Sequence, residues 1–358
     1  MGGAAAVRDE VPGIRRPAVE RFFAEHVPGS DGPLRFALIS GGRSNLTYLV
    51  EGRGGTRWVL RRPPLGHVLP TAHDMAREYR VLAALCDTPV PVARPIALCD
   101  DASVNDAPFY VMEHAPGVVL EHALPAGFAP GAAERQRIGA ALIDTLVALH
   151  AVDVRSVGLA DFGRPEGYLE RQVRRWAQQW ERSKTAPLPA IEALAERLAR
   201  ALPESSPPTL VHGDYRLGNL ALDPRDPGRV VAIYDWEMAT LGDPLADLGY
   251  TLIYWAEEGD ALDARVLSPL TALPGFATRR ELVDAYARAS GRDCAAIDFY
   301  RVLALYKLAV ISEGIYARHR MGKTVGEGFA GMQRSAGALA ERALAIAHAA
   351  SDARLRGA

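Results

Sequence analysis

Cysteine is scarce. The 358 residues hold three, Cys86, Cys99 and Cys294, scattered along the chain and without a CxxC pair. That argues against a disulfide framework or a thiolate zinc site and fits buried thiols in a reducing compartment. Net charge is almost absent as well, -2 in total, so nothing draws the whole molecule to nucleic acid or to an anionic membrane. No apolar run approaches the roughly 18 residues that a membrane span requires. The opening MGGAAAVRDE has no apolar leader core, and Ala6 stands where a myristoylation pattern wants Ser or Thr. What remains is 49% hydrophobic and 23% charged, the make-up of a globular chain with a sizeable core. The expectation is a cytoplasmic protein without nucleic-acid or membrane partners, monomeric or homodimeric, and long enough for two lobes.

The first hundred or so residues read mostly as strand. RFALIS (35–40), LTYLVE (46–51) and RWVLRR (57–62) alternate or run apolar, and Gly52 to Gly55 suits a hairpin connection. A helix over AHDMAREYRVLAALC follows, then an extended PVPVARP and strands at 96–99 and 109–114. After Pro116 the period changes to about 3.6. Helices are expected at 132–151, 166–182, 190–202, 243–256, 279–291, 297–320 and 325–350, interrupted by short strands at 209–222 and 229–235. The outline is an N-terminal extension with a first helix (1–33), a small β-rich lobe (34–114) and a helical lobe (115–358).

Within the small lobe, Met75, Leu82 and Leu85 share one helix face, and Glu78 falls on it too. A carboxylate there either edges the stripe and pairs with Arg77 or Arg80, or needs a cation from the sheet. Arg61 and Arg62 end the third strand, and their side chains point to opposite faces. The glycines of ISGGRSNLTYLV, Gly41 and Gly42, could bend the backbone toward a phosphate or make a tight hairpin. Asp161-Phe162-Gly163 spells the metal-binding triplet of protein kinases, but it precedes His212-Gly213-Asp214 instead of following it. It reads as a turn entering a helix.

The densest signal runs from Val211 to Tyr250. Asp214 and Asn219 stand in the register H-x-D-x-x-x-x-N, and a hairpin with Asp223, Pro224, Asp226, Pro227 and Gly228 leads to a strand that ends at Asp235. A hairpin would bring Asn219 and Asp235 together as oxygen ligands suited to Mg²⁺, with Asp214 facing an incoming hydroxyl. Phosphoryl transfer asks for such a set: a carboxylate for the nucleophile, oxygen ligands for metal, and a cation on the phosphates.

These residues resemble the aminoglycoside phosphotransferase-like kinase family, which is related to choline kinases and distantly to protein kinases. The likeness rests on His212-Gly213-Asp214 with Asn219, Asp235-Trp236-Glu237, LGDPLADL (241–248), GGRSNLTYLV, WVLRRPP and FYVMEHAPG. More narrowly the chain is similar to the branch also found fused to acyl-CoA dehydrogenases, some of whose members phosphorylate hydroxyacyl-CoA. The resemblance implies an α+β, bilobal protein kinase-like fold with a small N-terminal antiparallel sheet carrying one helix and a large helical lobe. It implies ATP and Mg²⁺ as cofactors, with GTP left open as donor. Asp214 would be the catalytic base, Asn219 and Asp235 the metal ligands, and Glu78 the partner of the third-strand cation. Ser44 and Asn45 would lie over the phosphates, Glu113 and Ala115 would meet adenine, and Asp247 would brace the catalytic loop. The family commonly has lysine on the third strand; here Arg61, on the face of Val59, matches best, with Arg62 one step away.

The acceptor would be chosen by the helical lobe. Glu257, Glu258 and Asp260 could line an acidic cleft for a polycationic antibiotic, whereas Arg318, His319, Arg320, Lys323 and Arg334 could favour an anionic acceptor or form a solvated helix face. The reading is an ATP-dependent kinase of a small-molecule hydroxyl, such as a hydroxyacyl-CoA or a natural product. The alternatives are an aminoglycoside or macrolide kinase and a catalytically silent nucleotide-binding protein.

Overall fold

The structure is a computed structural model, and it describes residues 11–40, 45–65, 73–260, 268–322 and 329–357. The chain divides into two compact units, Met1–Pro116 with Val231–Glu237, and Gly117–Val230 with Met238–Ala358.

The first unit is built on one antiparallel sheet. Its strands are β1 (Arg35–Ser40), β2 (Leu46–Glu51), β3 (Arg57–Arg62), β4 (Pro95–Cys99) and β5 (Phe109–Glu113), in the order β1-β2-β3-β5-β4. Alternation along β3 decides what each face carries. Trp58 and Leu60 join the core formed with α1 (Arg16–His26), where Val19, Phe22 and Phe23 meet Phe36, Tyr48 and Phe109. The α2 helix (Met75–Leu85) starts on Asp74, whose side chain accepts from the Arg77 N–H, and buries Met75, Glu78, Val81, Leu82 and Leu85. A short α3 (Ala102–Asn105) lies between β4 and β5. The β9 strand (Val230–Ile233) brings the chain back to this unit, with the Ile233 N–H donating to the Pro91 carbonyl at 2.8 Å.

The second unit is mainly helical: α4 (Ala132–His150), α5 (Tyr168–Ser183), α6 (Pro189–Arg200), α7 (Leu245–Tyr254), α8 (Arg279–Ser290), α9 (Ile297–Arg320), α10 (Met332–Ala349) and α11 (Ala353–Arg356). A capping box of Thr278 and Glu281 starts α8, and Gly291 in the left-handed region ends it. Two short antiparallel pairs matter for function. β7 (Thr209–Val211) pairs with β10 (Thr240–Gly242), and β6 (Val118–Val119) pairs with β8 (Leu220–Leu222). Between β7 and β8 the chain runs through the polar loop 212–216 and a 3₁₀ turn, Leu217–Asn219. The short strands expected within 209–222 are two three-residue strands flanking a loop. Its polar side chains take the backbone partners that a strand ladder would otherwise supply. The last long helix begins at Met332, and residues 325–328 of the expected 325–350 helix lie outside the described residues.

Candidate active site

Two clusters of charged groups stand out, one in each unit. In the first unit, Glu78 is 2% exposed and lies under the sheet. Its cation is Arg61, whose Nε donates to Glu78 Oε2 at 2.8 Å; Tyr110 OH donates to the same oxygen at 3.0 Å. The Arg61 guanidinium also gives Nη1 to Thr47 Oγ1 at 3.2 Å and Nη2 to Asp235 Oδ1 at 2.5 Å. Arg62 points the other way, as strand alternation requires, and donates to the carbonyls of Gly13 and Asn105. Glu78 faces Arg61 because the helix face it shares with Leu82 is turned inward.

Burial pushes the Glu78 carboxyl up to about 7, with Arg61 pulling it down and the charges of Asp235 and Glu237 pushing it further up. Burial alone would weaken the Arg61 guanidinium as a base, but Glu78, Tyr110 and Asp235 together hold it above its ordinary value. Asp235 itself sits just beyond the end of β9 with φ of 66°, a left-handed backbone that a non-glycine residue takes at some cost. Its carboxylate keeps 29% of its surface exposed, so it has room for a further partner.

Asn45, expected over the phosphates, is 2% exposed. It donates through Nδ2 to Glu78 Oε1 at 2.5 Å, and its Oδ1 is buried without a hydrogen-bond partner among the described residues. Gly41, Gly42, Arg43 and Ser44 lie outside the described residues. At the end of β5 the Glu113 N–H is taken by the Arg94 carbonyl at 2.9 Å, and the Ala115 carbonyl accepts from Tyr234 OH at 3.0 Å. The Ala115 N–H makes no hydrogen bond among the described residues.

In the second unit the loop after β7 is held from below by Asp247, 1% exposed on α7. Its Oδ2 accepts from the His212 N–H at 2.6 Å and its Oδ1 from the Gly213 N–H at 2.7 Å, while His150 Nε2 stands 3.3 Å away. Burial alone would raise the Asp247 carboxyl, yet the contacts with His150 and His212 take it below its usual range. Gly213 has φ of +84°, and a Cβ there would stand 2.7 Å from the Met238 carbonyl, so no other residue fits the turn. Asp214 follows, 21% exposed, with Arg216 Nε at 3.6 Å. Asn219 Nδ2 donates to both the Asp214 carbonyl and Asp214 Oδ2, each at 2.8 Å. That uses the amide protons and leaves Asn219 Oδ1 without a hydrogen bond among the described residues.

Beside this loop lies a cavity of about 270 Å³ whose walls include Leu120, Glu121, Arg216, Leu217, Tyr254 and Leu270. The Arg216 guanidinium stacks over the Tyr254 ring at 5.3 Å. Two of the three acidic residues expected to attract a polycation are otherwise engaged. Glu257 Oε2 pairs with Arg279 Nη1 at 2.9 Å, and Asp260 pairs with the same guanidinium. Glu258 is exposed. Arg318, His319 and Arg320 are exposed in the last turn of α9, where cations complement the helix dipole, and Arg334 is exposed on α10. Lys323 lies outside the described residues.

One residue in this neighbourhood carries no local sequence signal: Lys307, in the middle of α9, whose Nζ reaches the Gly213 carbonyl at 3.2 Å. It lies 94 positions from its partner, and its helix is apolar on most sides, so no motif or spacing marks it.

The profile of the phosphotransferase enzyme family matches residues 35–300. The chain belongs to the phosphotransferase enzyme family. It is 35% identical over 339 residues to acyl-CoA dehydrogenase family member 11 of Gallus gallus, a match that covers 92% of this chain and 43% of that protein. The Homo sapiens protein of the same name is 34% identical over 319 residues, covering 87% and 40%. The chain thus spans well under half the length of these curated relatives. Among solved structures, a Ralstonia eutropha protein assigned as an aminoglycoside phosphotransferase is 33% identical, with a TM-score of 0.79 over 94% of this chain and 99% of that one. A choline kinase from Cryptosporidium parvum shares the fold at 11% identity, with a TM-score of 0.61 over 92% and 94% of the two chains. The expected α+β, protein kinase-like fold is the one observed. Among the described residues no helix is long and apolar enough to cross a membrane.

Proposed function

We propose that this phosphotransferase moves the γ-phosphate of ATP to an alcohol of a small molecule. The observation that carries the reading is the buried Arg61–Glu78 pair with the Asp235 carboxylate on the same guanidinium, in a member of this family. A cation fixed by a buried carboxylate, with a second carboxylate on its outer edge, is a ready-made seat for phosphate oxygens and their metal. In this reading Arg61 contacts the phosphates and Glu78 holds it. Ser44 and Asn45 cover the phosphates, and the main chain at Glu113 and Ala115 meets the base. That the Ala115 N–H has no partner among the described residues supports that last role.

In this reading Mg²⁺ is held by Asn219 and Asp235, each of which by itself offers an oxygen suited to that ion. The oxygen of Asn219 is left without a hydrogen bond by the way its amide protons are used, and Asp235 is partly exposed. An amide oxygen and a carboxylate, completed by phosphate oxygens and water, make a normal set for this ion. Bound there, the ion would offset charge on the transferred phosphate. Asp214 takes the acceptor's proton as general base, a role that its partial exposure and its fixed orientation by Asn219 support.

For the acceptor we favour an uncharged or anionic hydroxyl compound, such as a hydroxyacyl-CoA or another natural product. Glu257 and Asp260 are tied to Arg279, and Arg216 stands in the cavity wall with Glu121, so the cavity is not the uniformly acidic cleft that suits a polycation. The aminoglycoside reading stays in view because a relative 33% identical bears that assignment. Thermal melts with and without Mg-ATP test the nucleotide site. The wild type should be stabilised in proportion to ligand concentration, and Asn219→Ala and Asp235→Ala should each lose most of that shift. Full retention of the shift in both variants would contradict the metal assignment.

A further inference from the structure

We propose that Lys307 is a positioning residue for phosphoryl transfer, acting through the peptide that joins Gly213 to Asp214; the inference rests on the reading of Asp214 as the base. That peptide is planar, so fixing both of its ends fixes the direction in which Asp214 leaves the chain. Its carbonyl end accepts from Lys307 Nζ at 3.2 Å, and its N–H end donates to His212 Nδ1 at 3.2 Å. The preceding peptide is fixed in turn, with the Gly213 N–H on Asp247 Oδ1 at 2.7 Å. Asp247 therefore holds the loop through its N–H groups and Lys307 through a carbonyl.

The surroundings of Lys307 show that the charge is there for a purpose other than packing. Its ammonium lies 4.8 Å from the centre of the Tyr250 ring on α7 and 5.8 Å from that of Trp176 on α5. Such rings hold a cation without taking its protons. It has no carboxylate within ion-pair distance among the described residues, although Asp214 and Asp247 act on it through space and Arg175 of α5 repels it. Burial lowers its basicity against the pull of those carboxylates. A methionine would fill the same volume between two rings without the desolvation cost of an ammonium. The one hydrogen bond that the ammonium makes among the described residues is to the loop that carries Asp214.

The test compares Lys307→Met and Lys307→Arg with the full-length wild type. The expected result for Lys307→Met is a kcat about 10- to 100-fold lower, the scale that small misplacements of a reacting group produce. KM for ATP should stay within about twofold and the melting temperature should be equal or higher. Lys307→Arg, which restores a cationic donor, should recover much of kcat. Amide hydrogen exchange supplies a readout that needs no acceptor: Lys307→Met should speed exchange at residues 212–219 and leave the other helices unchanged. A kcat within twofold of wild type in Lys307→Met would overturn the proposal. So would a lower melting temperature with exchange faster throughout the unit, which marks a structural role. If the wild type transfers phosphate to no acceptor, the reading of the site fails; exchange confined to the loop then still supports the clamp, and unaltered exchange there overturns it.

Discussion

A carboxylate as buried as Glu78 stays in the fold only if a cation and hydrogen-bond donors meet it, and Arg61, Tyr110 and Asn45 do so. Arginine on β3 suits the geometry. One planar fork serves Glu78, Thr47 and Asp235 at once, which a single ammonium could not do in the same plane. The same burial makes a prediction about pH. The Glu78 carboxyl is pushed from 4.5 up to about 7, mainly by desolvation. A carboxyl raised on folding holds its proton more tightly in the folded state. The stability it contributes is complete below about pH 4.5 and is lost as pH rises through 7, by about 3 kcal/mol in all. Thermal melts from pH 4.5 to 8 should show this decline in the wild type and not in Glu78→Gln; parallel curves would contradict it. That Glu78 shares the face of Met75 and Leu82 was legible from its offsets, but not which cation it meets; the side of β3 taken by Arg61 was legible from its step of two to Val59. Lys307 was not legible, because what places it is the packing of α9 against α5 and α7, to which no local spacing refers.

At the scale of elements, a strand, a tight turn and a strand carry the second cluster. β7 and β10 pair in register, Val211 with Thr240 and Thr209 with Gly242, and Gly213 passes directly over Met238 beyond the end of that pair. Gly213→Ala therefore places a methyl group against the Met238 carbonyl and forces a positive φ on alanine. It should destabilise the protein by about 2 kcal/mol or more and lower kcat even where the variant stays folded. An unchanged melting temperature would show that the turn has another conformation open to it. β10 escaped sequence reading because three residues are too few to show a period, and its pairing with β7 is set by the loop between them. The long helices were legible within a few residues, since α4, α8 and α9 repeat their apolar positions over three turns or more.

At the scale of the molecule, the chain belongs to a family of phosphotransferases, and its architecture puts a sheet with a buried ion pair in one unit and a helix-braced loop in the other. The return of residues 231–237 to the first unit gives Asp235 to the cluster of Arg61 and Glu78. No local pattern foretold that split, because Val231 continues the apolar run of β9 without a break. Glu257 and Asp260 show the limit of reading charge from sequence: their acidity is real, but a single arginine at the start of α8 absorbs both. The most direct measurement of the central claim is transfer of the γ-phosphate of Mg-ATP, followed by ³¹P NMR, to a panel of hydroxyacyl-CoA compounds, neutral hydroxylated natural products and aminoglycosides, run with wild type and with Asp214→Asn. The account predicts a phosphate monoester on at least one anionic or neutral acceptor, and a rate about 10²- to 10⁴-fold lower for the variant. Transfer by Asp214→Asn at the wild-type rate, or wild-type transfer to aminoglycosides alone, would contradict it.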